Sequence, residues 1–163
     1  MFSEALQNAF NDQIQKEFFS SYLYLAMAAH FEFSNLPGFA SWMKKQADEE
    51  RSHAMKLWEY VYDRGGKVEL KAIEQPPITF GKPLEVFQQV LAHEQKVTAS
   101  INALYALTAK EGDAAAQIFL QWFVVEQVEE EKSVSDLIEQ LKMSGDQTFS
   151  VLFMDKHVLG ARS

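Results

Sequence analysis

Glu50 and His53 stand at i and i+3 in a stretch otherwise patterned as a helix. That spacing puts a carboxylate and an imidazole on one helix face, close enough to share a metal ion. Glu17, Glu94 and Glu130 hold comparable mid-segment places in three other long stretches. Four helices that each offer inward oxygen or nitrogen donors can build a dinuclear metal centre inside a bundle.

Successive residues turn by about 100° along a helix, so the direction of each polar group can be checked. Leu6, Phe10, Tyr24 and Ala28 share the Glu17 face, and Phe39, Met43, Ala54, Leu57 and Val61 share that of Glu50. Phe87, Val90, Ile101 and Tyr105 accompany Glu94; Leu120, Phe123, Val134 and Ile138 accompany Gln127, with Glu130 at the margin of that stripe. Each helix therefore sets a polar group within its own core-facing stripe. An unpaired buried carboxylate carries a penalty of several kcal/mol, and converging carboxylates repel one another. Two divalent or trivalent ions would neutralise the set. Carboxylates with a single imidazole suit iron or manganese better than structural zinc. His30, His93 and His157 lack a partner of the Glu50–His53 kind; His93 adjoins Glu94, but neighbours in a helix diverge.

These side chains need long helices to hold them. The 163 residues are 47% hydrophobic with only 7 Gly and 4 Pro, which favours one all-helical domain over residues 1–163. Ser3 can cap a first helix that runs to about Phe33. Ser34-Asn35-Leu36-Pro37-Gly38 is a break, and a second helix spans about Phe39 to Arg64, ending at Gly65-Gly66. Residues 67–82 carry Pro76-Pro77 and lack helical periodicity. Pro83 opens a third helix to about Gly112, Asp113 caps a fourth to about Met143, and Asp146 can cap a short fifth, 146–158. Short links make the first and third helices antiparallel to their successors. The long 67–82 link can cross the length of the bundle, leaving the second and third helices parallel. The expected architecture is a four-helix bundle, 3–143, with one long crossover and an appended short helix. The apolar Phe149, Leu152, Phe153, Val158 and Leu159 of that last helix must be covered either by its own bundle or by other subunits.

Charge and composition exclude several functions. The net charge of -8 and the lack of a basic cluster argue against nucleic acid as a partner. Without cysteine there are no disulfides, thiolate nucleophiles or Cys-ligated clusters. The start MFSEALQNAFNDQ has neither a basic n-region nor an apolar h-region, and no apolar run approaches the length of a membrane span. A cytoplasmic protein with no membrane partner is expected.

Three strings carry a resemblance. Asp48-Glu49-Glu50-Arg51-Ser52-His53-Ala54, the Arg64-Gly65-Gly66 stop and Glu126-Gln127-Val128-Glu129-Glu130 resemble the non-haem bacterial ferritins, and the helix layout matches over essentially the whole chain. The resemblance implies a ferritin-like fold and a ferroxidase. One iron would lie among Glu17, Glu50 and His53; a second would share Glu50 with Glu94 and Glu130. Gln127 matches the family's glutamine beside the pair. Tyr24 matches its nearby tyrosine, a source of an electron or a hydrogen bond. Glu49, Glu126 and Glu129 resemble a third iron site. Fe(II) and dioxygen would be the substrates, and Fe(III) would be stored as mineral in a shell of twenty-four copies.

Departures from relatives narrow that picture. The haem-bearing relatives carry a second Glu-x-x-His where this chain reads Gln127-Val128-Glu129-Glu130, and a methionine where it has Arg51 or Ser52, so haem is not expected. Ser52, Met55, Gln117 and Leu120 stand where animal catalytic ferritins place cavity and pore carboxylates, which argues against an acidic three-fold access route. Other readings remain at this stage: another di-iron enzyme, a storage subunit whose centre is only a transit site, or a metal-free helical scaffold.

Overall fold

The structure, a computed structural model, describes residues 2–160; Met1 and residues 161–163 of the expected 1–163 span lie outside the described residues. Four long helices dominate: α1 (Glu4–Phe33), α2 (Pro37–Asp63), α3 (Pro83–Lys110) and α4 (Ala114–Ser144). A short α5 (Thr148–Phe153) runs on into a π-helical segment, Met154–Leu159. The fold is an all-α, ferritin-like four-helix bundle with a short C-terminal helix.

Local chemistry sets the helix ends. Ser3 Oγ accepts from the backbone N–H of Leu6 at 3.1 Å, and Asp113 Oδ1 accepts from that of Ala116 at 3.0 Å. Each satisfies one of the donors that a helix start leaves without a partner. The break after α1 turns on Asn35, whose positive φ of 58° a short polar side chain tolerates. Helix α2 begins at Pro37, earlier than the sequence indicates, because proline's fixed φ suits the first helical position. It stops where Gly65 adopts a φ of 71°, a conformation costly for other residues. The Arg64 guanidinium grips Asp113 through two bonds of 3.0 and 2.8 Å, tying the end of α2 to the start of α4. Asp146 does not cap the last helix. Its side chain pairs with Lys82 instead, and Gln147 occupies the cap position without a side-chain bond.

Two apolar clusters fill the bundle. One gathers Met27 and Phe31 of α1, Phe39 and Met43 of α2, Phe87 of α3 and Ile138 of α4. The other gathers Phe10 and Ile14 of α1, Leu57 and Val61 of α2, Ile101 of α3, and Leu120 and Phe123 of α4. The order in which each helix visits them gives its direction. Helices α1 and α4 run from the second cluster to the first, and α2 and α3 from the first to the second. The parallel α2–α3 pair demands the long crossover. Between the clusters every long helix carries buried polar residues: Gln13, Glu17 and Ser20; Gln46, Glu50 and His53; Glu94; Gln127 and Glu130. A polar belt thus lies at mid-height, between two greasy ends.

The C-terminal segment docks through Asp155 together with the buried Met154 and Leu159. Asp155 Oδ1 accepts from the Phe39 backbone N–H at 2.8 Å, capping α2 where Leu36 offers no side-chain cap. The approach is close enough that a Cβ on Gly38 would lie 1.8 Å from the Asp155 carbonyl oxygen. Met154 and Leu159 are buried, whereas Phe149, Leu152 and Phe153 stay at least half exposed. The bundle therefore covers one face of the segment and leaves the other outward. Gly38→Ala should cost about 2–4 kcal/mol or undock residues 148–160, because backbone on one side or the other must move. Hydrogen exchange along that segment would accelerate, while exchange in the helix centres would not.

Candidate metal centre

The belt side chains converge. Ligand atoms of Glu17, Glu50 and His53 lie within 4.8 Å of one another, as do those of Glu50, Glu94 and Glu130. Glu50 belongs to both groups, so its carboxylate is the element shared by two candidate ion positions. A third group, His53, Glu126 and Glu130, meets the same distance. His53 connects the first group to the third: Nδ1 is 3.5 Å from Glu50 Oε2, and Nε2 is 3.9 Å from Glu126 Oε1. Its ring packs edge-on against Trp122 and Phe123 of α4.

Glu50 and Glu94 are fully buried, and Glu17 and Glu130 nearly so. No amide, hydroxyl or backbone group donates to either oxygen of Glu50 or to Glu17 Oε2; the one neighbour placed to share a proton with Glu50 is the Glu17 carboxyl. Such orphaned acceptors are rare in a folded interior, where an unpaired polar group forfeits its hydration without return. The remaining oxygens are held. Gln13 donates to Glu17 Oε1 at 2.8 Å, and Gln46 to Glu130 Oε2 at 2.5 Å. Tyr24 donates its hydroxyl to Glu94 Oε1, and Gln127 Nε2 reaches Glu94 Oε2 at 3.2 Å and Thr98 Oγ1 at 3.1 Å.

The carboxyls are raised far from their ordinary acidity. Burial, then the charge of Glu50, pushes Glu17 well above the carboxylate range; burial, then Glu94, does the same to Glu50. Burial raises Glu94 against the lowering effect of its bonds from Tyr24 and Gln127. Glu130 is pushed up to about 7, by burial first and Glu94 second. Tyr24 is raised too, by burial and then by Glu94, which keeps it a phenol. Without cations these groups keep their protons to higher pH than ordinary carboxyls do. A cation held here would have to displace those protons, so metal binding and proton release would be coupled.

The sequence-predicted residues fall into three sets. Glu17, Glu50, His53, Glu94 and Glu130 come together in two groups that share Glu50, with Tyr24 and Gln127 bonded to Glu94. Glu126 joins His53 and Glu130. Glu49 is half-buried and Glu129 exposed, and neither enters these groups; Glu49 acts on Glu50 and Glu130 through its charge. His93 turns away to bond Ser20 Oγ at 2.8 Å. Sequence reasoning missed Gln13 and Gln46. For Gln13 the one available signal was its place one helical turn before Glu17; Gln46 stands one turn before Glu50 but bonds Glu130 of α4, so its own helix gave none.

A four-helix bundle that gathers carboxylates and one imidazole around a shared glutamate has the donor set of a candidate metal centre. Comparison with known proteins supplies the family. Residues 7–144 match the ferritin-like domain family. The chain is 44% identical to a bacterial non-heme ferritin of Bacteroides fragilis over 99% of its own length and all of that protein's. It is 39% identical to a bacterial non-heme ferritin of Staphylococcus aureus over all of its length and 98% of that protein's. Among solved structures, an open pore ferritin from the archaeon Archaeoglobus fulgidus superposes with a TM-score of 0.97 at 44% identity, each chain covered completely. A humanized archaeal ferritin superposes with a TM-score of 0.97 at 42% identity, over all of this chain and 98% of that one. The chain belongs to the ferritin family, and iron storage is the work of that family.

Proposed function

We propose that this chain is a ferroxidase as well as a storage subunit. It would oxidise Fe(II) with dioxygen at a centre of two irons, ligated by Glu17, Glu50 and His53 on one side and by Glu50, Glu94 and Glu130 on the other. The observation that carries this reading is Glu50, buried, with no amide, hydroxyl or backbone donor at either oxygen, and common to two groups of ligand-spaced side chains. Each Fe(II) gives up one electron and dioxygen accepts the pair. Carboxylates stabilise Fe(III) over Fe(II) because the higher charge gains more from anionic ligands, which drives the electrons outward. The protein moves few atoms in this step. It gathers the ions side by side, orients their carboxylates through Tyr24, Gln127, Gln13 and Gln46, and loses ligand protons as each ion binds.

The product needs somewhere to go. Glu126, with His53 and Glu130, supports a third iron position, with Glu49 and Glu129 contributing charge nearby. Residues 1–163 act as one ferritin-like domain, and twenty-four copies form the shell that holds the mineral. Apolar side chains left outward support the shell: Phe33 is 92% exposed, Ile78 79% and Phe149 78%. They sit at the α1 end, in the crossover and on α5, which a lone subunit would not leave bare. On this reading the chain takes no haem, since Arg51 or Ser52 stands where the haem-bearing relatives have their methionine, and the protein works in the cytoplasm. None of the described helices is long and apolar enough to cross a membrane.

Oxygen uptake and ferric colour after adding Fe(II) to the metal-free, assembled protein test the reading. Fast oxidation that saturates near two irons per subunit supports it. Oxidation no faster than in buffer would leave storage without catalysis. Tyr24→Phe should keep paired binding yet slow repeated turnover several-fold, since Glu94 loses a donor and the centre loses its nearest phenol. A time course identical to wild type over successive additions would remove Tyr24 from the mechanism.

A further inference from the structure

The carboxylates of the centre differ in how many amide or hydroxyl donors hold them. Glu94 takes one at each oxygen, Glu17 one at Oε1 with Oε2 left without any, and Glu50 none. The donors to Glu17 and Glu130 are the amides of Gln13 and Gln46, each 1% exposed and neither part of a ligand group. A buried amide is costly unless bonded, and both spend an N–H on a ligand carboxylate. The direction of the Gln13 amide is set from outside the centre. Ser100 Oγ of α3 donates to Gln13 Oε1 at 2.6 Å, and Lys16 Nζ donates to Ser100 Oγ at 2.7 Å. With its oxygen taken, the amide must present its NH2 to Glu17.

The choice of an amide has a consequence. A lysine or arginine in either place would neutralise the carboxylate and compete with an incoming cation. An amide orients the carboxylate and leaves its charge for the ion. It also takes one lone pair of the carboxylate, which fixes the plane in which the remaining lone pairs face the ion.

We propose that Gln13 and Gln46 are positioning residues that orient the Glu17 and Glu130 carboxylates, setting the affinities of the two ion positions separately from opposite ends of the centre. This rests on the metal-centre reading above. Outer-shell partners of this kind change metal affinity on the order of 10-fold or more.

The test is anaerobic titration of the assembled full chain with Co(II), which binds without redox chemistry. Anomalous difference maps of crystals soaked at graded Co(II) concentrations then give the occupancy of each position separately. Gln13→Met keeps roughly the side-chain volume and removes the donor. It should weaken the ion held by Glu17, Glu50 and His53 on the order of 10-fold and leave the other within about twofold. Gln46→Met should do the reverse. A merely structural role would not sort its effects by end: equal weakening at both positions in both variants overturns the proposal, as do wild-type affinities throughout. Should either methionine variant fail to assemble, Ser100→Ala decides. Ser100 is only half-buried, and losing it frees the Gln13 amide to turn; weakening at the Glu17 position alone supports the proposal, and unchanged affinities overturn it. Wild-type chain that binds no ion pair sinks the metal-centre reading and this inference together. A wild-type pair with indifferent variants sinks the inference alone.

Discussion

Glu50→Ala should abolish paired iron binding and slow oxidation by at least about 100-fold, past the range seen when outer-shell partners are lost. Both ligand groups lose their common member, so neither position keeps a complete set. Glu17 or Glu94 removed singly would strip one position and leave the other. Anaerobic Fe(II) titration gives the stoichiometry, and stopped-flow mixing with dioxygen gives the rate; two sites of undiminished affinity in Glu50→Ala would remove its bridging role. Stability should move the opposite way in a shape-conserving variant. Glu50→Gln deletes a fully buried carboxyl with no amide, hydroxyl or backbone donor at either oxygen, and its new amide can donate toward Glu94 or Glu130. The metal-free protein should gain stability most at high pH, where an ionised carboxyl is costly to bury, and least at low pH, where Glu50 is protonated. A higher Tm at high pH with lost function would show that the centre is held at the expense of the fold. A Tm no higher than wild type at high pH would contradict a costly carboxyl at Glu50.

The second large effect is on pH dependence. Glu130 has an ordinary value of 4.5 and is pushed up to about 7 in the folded chain. Between those values the folded chain binds more protons than the unfolded one, so stability falls as pH rises. The contribution is fully present below about pH 4.5 and is lost as pH passes through about 7. From Glu130 alone the change is about 3 kcal/mol. Glu17, Glu50 and Glu94 are raised as well and act in the same direction. The metal-free protein should therefore melt lower at pH 8 than at pH 5.5, opposite to the usual acid lability of salt-bridged carboxylates. Saturating Co(II) should reverse the slope, because ions take the place of the protons and bind better once these have left. Calorimetry at the two pH values, with and without Co(II), reads this directly. A metal-free Tm that rises over this interval would contradict the buried, proton-holding carboxyls.

Periodicity alone carried most of the architecture. Four apolar stripes, each interrupted by a polar residue, define four helices, and the caps at Ser3 and Asp113 and the stop at Gly65 mark their ends. These are short-range effects, readable wherever a side chain acts on its own turn of backbone. The length of the 67–82 link settled the parallel α2–α3 pair, since a chain that must recross the bundle needs the residues to do so. The central carboxylates were legible for a related reason: Glu17, Glu50, Glu94 and Glu130 fall on apolar stripes, where a carboxyl is costly to bury alone, and the bundle buries and groups them.

What the sequence could not supply depends on contacts between distant parts of the chain. Asp155 caps α2 from far along the chain, and the need for Gly38 follows only from that contact. Asp146, a plausible local cap, pairs with Lys82 because tertiary packing brings that lysine beside it. Gln13 and Gln46 read as ordinary helix residues until the bundle closes and turns their amides onto Glu17 and Glu130. The acidic run at 126–131 divides in the same way: Glu130 points inward, Glu126 reaches His53, and Glu129 stays in solvent. Helical spacing determined which side chains share a face. Only the packing of four helices decided which faces meet, and so which carboxylates lie within reach of one ion, because rotating or sliding a helix in its groove changes those distances without changing any local preference.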